Sequence, residues 1–103
     1  MNPTEQLAAR IKAAIDLTPI TAKGNTKEGK AQLAARRNAL AEIRWAMKVA
    51  NSSVDVYCCL KGLDCDLTSD LAEAQVFDGR DNEVHKLQFW SIMVGEPLEL
   101  VLL

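Results

Sequence analysis

The sequence predicts an all-α domain, a small helical bundle around a long second helix, ending in a short strand or an extended apolar tail. Three observations carry that expectation. Alanine is abundant while aromatic residues make up 5% of the chain, a composition that favours helices packed closely. Leu40, Ile43, Met47, Ala50, Val54 and Tyr57 recur at three- and four-residue spacing, with Leu33 one heptad before Leu40, which is the period of one helix face. Asn2-Pro3-Thr4-Glu5 is a helix start: a cap residue, a proline suited to the first helical position, and a glutamate that completes a capping-box-like pattern. The 103 residues, 49% hydrophobic and 25% charged, fit one globular domain over 1–103. They exclude collagen, a disordered tail and a multidomain enzyme.

The first helix carries Leu7, Ile11, Ala14 and Ile15 on one face and ends in Leu17-Thr18-Pro19-Ile20. A polar loop follows over 21–29. Asn25 to Glu28 offers a second capping box, opening a helix from Lys27 to Lys61 that Gly62 stops as a C′ residue. At 1.5 Å per residue that helix spans roughly 50 Å, beyond the diameter of a compact chain whose radius of gyration is about 13 Å. It therefore breaks near Asn51 or protrudes towards a partner. The competing reading ends the helix at Ala50 and makes 54–60 a strand. Trp45, Val49 and Val56 form a second apolar row with Ser52 between them, and a helix apolar on two faces is central in its fold or buried by another chain. Lys30, Arg37, Arg44 and Lys48 line one flank, and Arg36 sits within the first stripe.

A third helix is expected over Leu67 to Asp78, capped by Thr68 or Ser69, with Asp70 and Glu73 at its positive end and Gly79 after it. Leu67, Leu71, Ala74 and Phe77 would face inward. Asp81 or Asn82 starts a fourth segment with Val84, Leu87, Trp90, Met93 and Val94, which fits a helix better than a strand. The stretch Leu98-Glu99-Leu100-Val101-Leu102-Leu103 is too apolar to be left in water. It docks on the core or on a partner, or pairs as a short strand.

Charge is polarised along the chain. Residues 1–62 hold ten basic and five acidic side chains, a balance of +5, and residues 63–103 hold two and nine, a balance of −7. Such a split suits one half packed on the other, head-to-tail assembly, or two partner surfaces. No apolar run reaches the roughly 18 residues of a membrane span. Glu5, Arg10, Lys12 and Asp16 near the start do not suit a signal peptide, so a cytoplasmic protein is expected. Cys58, Cys59 and Cys65 do not make a disulfide framework and are expected as thiols, most simply as small apolar packers.

Chemistry-bearing patterns are few. Asp64-Cys65-Asp66-Leu67-Thr68 resembles the DxDxT signature of haloacid-dehalogenase-type phosphohydrolases. The resemblance implies Asp64 as nucleophile and Asp66 as acid/base, with magnesium between them. It covers five residues, and Lys61-Gly62-Leu63 stands where that family has the end of a buried strand. The family's Rossmannoid core does not fit in 103 residues. The plainer reading is acidic residues at a helix start. Asp64, Asp66, Thr68 and Asp70 also alternate like calcium-loop ligands, but the central glycine is missing and Gln75 stands at the twelfth position. With no CxxC pair, and His85 twenty residues from Cys65, neither a zinc site nor a Cys–His pair is expected. Nucleic acid is disfavoured by the acidic second half.

The expected function is therefore non-catalytic, with no cofactor and no metal: a protein-binding module, acting as a homo-oligomer through apolar and charged surfaces. Arg44, Trp45, Lys48, Val49, Val56 and Trp90 would meet the partner; the alternative for Trp45 is a place in the core. Small chains of this make-up include inhibitors and accessory factors of phages and mobile elements. A second reading is an oligomeric binder of a small anion such as a nucleotide, held by Lys23, Lys27, Lys30, Arg36 and Arg37. The remote third is the magnesium-dependent phosphohydrolase.

Overall fold

The computed structural model describes residues 2–61, 64–81 and 83–103, with the backbone alone at 60, 61, 64, 65, 83 and 84. Helix α1 (Pro3–Leu17) starts on the expected cap. The Asn2 side-chain oxygen accepts the Glu5 backbone N–H at 2.8 Å, and the Asn2 amide donates to the Glu5 carboxylate at 3.3 Å. Helix α2 (Lys27–Ala41) is capped by Thr26 rather than Asn25: the Thr26 hydroxyl oxygen accepts the Gly29 N–H at 3.0 Å. Gly29 is required there, because a Cβ on it would fall on the backbone carbonyl oxygen of Lys23.

Beyond Ala41 the all-α expectation fails. The chain forms β1 (Arg44–Val49), β2 (Tyr57–Lys61), β3 (Asp64–Thr68) and β4 (Phe77–Asp78). A 3₁₀ turn (Glu83–Lys86) then leads into α3 (Leu87–Val94), and β5 (Leu98–Leu102) follows. The fold is mixed α/β with a five-stranded antiparallel sheet, not a helical bundle. The apparent stripe from Leu40 to Tyr57 joined a helix end, a strand, a turn and a second strand. Within β1 the side chains alternate between two faces: Trp45, Met47 and Val49 lie on the core face and Arg44, Ala46 and Lys48 on the other, where Ala46 is also buried. Asn51, at φ 59°, turns the chain in the left-handed region between β1 and β2, and Val54 is exposed. The expected stop at Gly62 lies outside the described residues.

The third helix is also absent. Leu67 and Thr68 end β3, and the residues after them form turns. The Asp70 N–H donates to the Thr68 hydroxyl at 3.1 Å, and the Ala72 N–H to the Asp70 carboxylate at 2.9 Å. These short polar side chains thus cap turns instead of a helix. Of the residues expected to face inward, Phe77 is buried and Leu71 is exposed. The fourth segment is helical over Leu87–Val94, closed by Gly95 at φ 81°. Asn82, one of its two expected starts, lies outside the described residues.

Register fixes the sheet. Trp45 pairs with Phe77 and with Leu102, and Lys48 with Tyr57 and with Glu99. Therefore β4 and β2 share one edge of β1, and β5 takes the other. One face of this sheet carries Trp45, Met47, Leu98 and Leu100, packed with Phe77, Cys58 and Leu7, and with Ile11 of α1 and Leu87, Trp90 and Val94 of α3 beside them. Cys58 is disulfide-bonded and Cys59 is a free thiol, so the expectation of thiols throughout does not hold. At β4, the Arg80 guanidinium hydrogen-bonds the Asp78 carboxylate at 2.7 Å and holds its pKa below the usual aspartate value. Among the described residues, no helix is long and apolar enough to cross a membrane.

Candidate interaction surface

The residues expected to meet a partner do not share a surface. Trp45 has no exposed area. Its ring stacks on Phe77 at 4.6 Å, and its indole N–H donates to the Asp78 carbonyl at 3.0 Å. It is a core residue and cannot serve as an outward anchor. Strand alternation sends Val49 to the core face with Trp45 and puts Arg44 and Lys48 on the other face. There Lys48 bridges Asp55 at 3.7 Å and Glu99 at 3.5 Å. Trp90 packs against the core and makes a T-shaped contact with Phe89. Val56 lines a shallow hollow with Ser52 and Leu67.

The basic set splits as well. Lys23, Lys27, Lys30 and Arg37 are exposed, whereas Arg36 is committed to the fold. Its Nη2 donates to the carbonyls of Thr18 at 2.9 Å and Ile15 at 3.4 Å. A cation at the C-terminal end of α1 satisfies free carbonyls and complements the helix dipole, so Arg36 ties α2 to α1. Its buried Nε has no hydrogen-bond partner among the described residues.

The stretch resembling a phosphohydrolase signature is strand β3 itself, paired along its length with β2 from Tyr57↔Thr68 to Lys61↔Asp64. It is therefore not a loop beyond a strand, as the resemblance implies. Asp66 is exposed, and the side chains of Asp64 and Cys65 are not among those described. Among the described residues, no three His, Cys, Asp or Glu side chains gather as a metal site.

What the tertiary structure does expose is apolar. On α3, Leu87, Trp90 and Val94 turn to the core while Phe89, Ile92 and Met93 turn out, at 53%, 72% and 55% exposure. The outward three sit at i, i+3 and i+4, so they form one face. Met93, named with Leu87 and Trp90 in the expected fourth segment, belongs to it. Apart from Gln88 and Ser91, α3 is thus apolar on its outward side as well as on its core side. The signal was present in Leu87-Gln88-Phe89-Trp90-Ser91-Ile92-Met93-Val94, where six of eight residues are apolar and a single core stripe needs three or four. A second apolar feature lies along α1, a groove of about 420 Å³ floored by Leu7, Ala8, Ile11 and Ile15. Thr4, Lys12 and His85 edge it.

No protein-family model matches the chain, and no curated protein or solved structure shows significant similarity to it.

Proposed function

We propose that the chain is a non-catalytic protein-binding module that works as an oligomer, with the outward face of α3 as its partner-binding surface. The observation that supports this reading is the exposure of Phe89, Ile92 and Met93 on a helix whose other side already fills the core. Large apolar side chains clustered on one rigid element are the make-up of a protein interface centre. The groove on α1 adds an apolar surface of ligand-pocket size. As an inhibitor or accessory factor, such a module acts by covering part of its partner.

The anion-binding alternative is weakened by the use of Arg36 as a tie between helices. The remaining lysines are solvated side chains around a loop.

The test is site-specific photocrosslinking in producing cells, with a photoreactive amino acid at Ile92 and, as exposed control, at Glu28 on α2. Adducts to protein from position 92 and none from 28 are expected. No adduct, or equal adducts from both positions, overturns the reading.

A further inference from the structure

Helix α1 is fixed on one side and open on another. Leu7 is buried and Ile11 packs beside it against the core, whereas Ala8 is exposed and Ile15 is 37% exposed. These four residues follow one another at helical spacing and make one apolar strip. His85 lines the same groove from a different element, the 3₁₀ turn that leads into α3. The groove holds about 420 Å³, within the roughly 300–1,000 Å³ of small-molecule sites. Ala8 keeps it hollow, because a larger side chain there would occupy the space.

Three polar side chains line this groove, Thr4, Lys12 and His85, and no carboxylate does. Among the described residues none of the three has a side-chain hydrogen bond or ion pair. Cations elsewhere are answered: Lys48 meets Asp55 and Glu99, and Arg80 meets Asp78. Lys12 brings three donors and a full positive charge, and the His85 imidazole donates an N–H in either protonation state. An apolar floor therefore meets a rim of donors with a net positive charge.

We infer that this groove binds a free fatty acid of medium length. Its alkyl chain lies on Leu7, Ala8, Ile11 and Ile15, and its carboxylate takes the donors of Lys12 and His85. Charge complementarity selects the head group, since an anion gains charge-assisted hydrogen bonds there and a cation is repelled. Shape selects a small molecule: a concave apolar lining with a few polar groups is the make-up of a ligand site. The outward face of α3, by contrast, is the convex side of a helix. Thr4 to Ile15 cover roughly 16 Å of helix axis, which limits the length of chain that the groove can shelter.

This site is separate from the α3 face, so the two can fail independently. Isothermal titration calorimetry tests it with decanoate, decanol and decyltrimethylammonium, each below its micelle concentration. The proteins are the wild type, Ala8→Phe, Lys12→Glu and Ile92→Lys. Decanoate is expected to bind the wild type and Ile92→Lys alike. Ala8→Phe fills the groove from an exposed helix position and lowers the affinity by about tenfold. Lys12→Glu lowers it by about fivefold and leaves decanol unchanged. Decyltrimethylammonium binds the wild type more weakly than decanoate, and Lys12→Glu reverses that order. Lengthening the carboxylate gains about threefold per methylene and levels off once the groove is full. Failure of decanoate to bind overturns the proposal, as does binding indifferent to Ala8→Phe or to Lys12→Glu. Loss of binding in Ile92→Lys alone also overturns it and assigns the ligand to α3.

Discussion

The Trp45 indole donates its N–H to the backbone carbonyl of Asp78 at 3.0 Å, across 33 residues of chain. That bond, with the stacking of Trp45 on Phe77 beside it, joins the longest strand to a strand of two residues. It solves the problem of burying a large side chain that carries a donor, because a buried indole N–H without an acceptor is costly. Trp45→Ala is therefore expected to lower stability by about 3–5 kcal/mol, most of what a small domain possesses. Trp45→Phe keeps the stack, loses the bond and costs less. Urea denaturation of the two variants gives the ordering.

The turn after β4 predicts a pH dependence. The Arg80 hydrogen bonds lower the folded pKa of Asp78, so the unfolded chain binds the proton more readily. The stabilisation is complete above the ordinary aspartate value, about 3.9, and is lost as pH falls through the lower folded value. Arg80→Ala should be less stable than the wild type at neutral pH, and the gap should close on acidification. A gap that persists undiminished at pH about 2 would assign the effect to something other than the carboxylate.

Arg36→Met removes the tie between α2 and the end of α1 while keeping most of the aliphatic stem. Loss of hydrogen bonds to free carbonyls and of a cation at the helix end costs about 1–2 kcal/mol. Thermal unfolding measures that loss. Titration with inorganic phosphate separates the structural role from an anion site: equal stabilisation of wild type and variant is expected, because Arg36 serves the fold.

Ile92→Lys exchanges an outward apolar side chain for a charged one. Stability should change by no more than about 0.5 kcal/mol, as at other exposed positions. Binding of an apolar dye to the native protein should fall, because the Phe89–Ile92–Met93 face is interrupted. Unchanged dye binding would locate the exposed apolar surface elsewhere.

Both early helix starts were legible because capping is local. Asn2 reaches Glu5 three residues on, and that reach is written in four letters; the second cap was displaced only from Asn25 to Thr26. The strands were harder. Spacings of three and four from Leu40 to Tyr57 mimic a helix face, whereas the alternation of Trp45, Met47 and Val49 with Arg44 and Lys48 is the signal that prevailed. The Asn51-Ser52-Ser53 run, which falls off the apparent stripe, is the turn that separates β1 from β2.

The amino-acid sequence alone determined the first two helix starts, the helical stretch before Gly95, and the need of Leu98–Leu103 for cover. Each rests on contacts within a few residues or on bulk hydrophobicity. Tertiary structure decided which cover that tail receives, that Trp45 lies inside while Phe89, Ile92 and Met93 lie outside, and that Arg36 fastens two helices. Those outcomes depend on elements meeting across long stretches of chain, as Arg36 meets Thr18 and as Trp45 meets Asp78 and Leu102. β5 is decided in the same way: Leu98 and Leu100 are buried only once β1 pairs beside them and α1 and α3 pack on the strand, contacts that no local run of residues specifies.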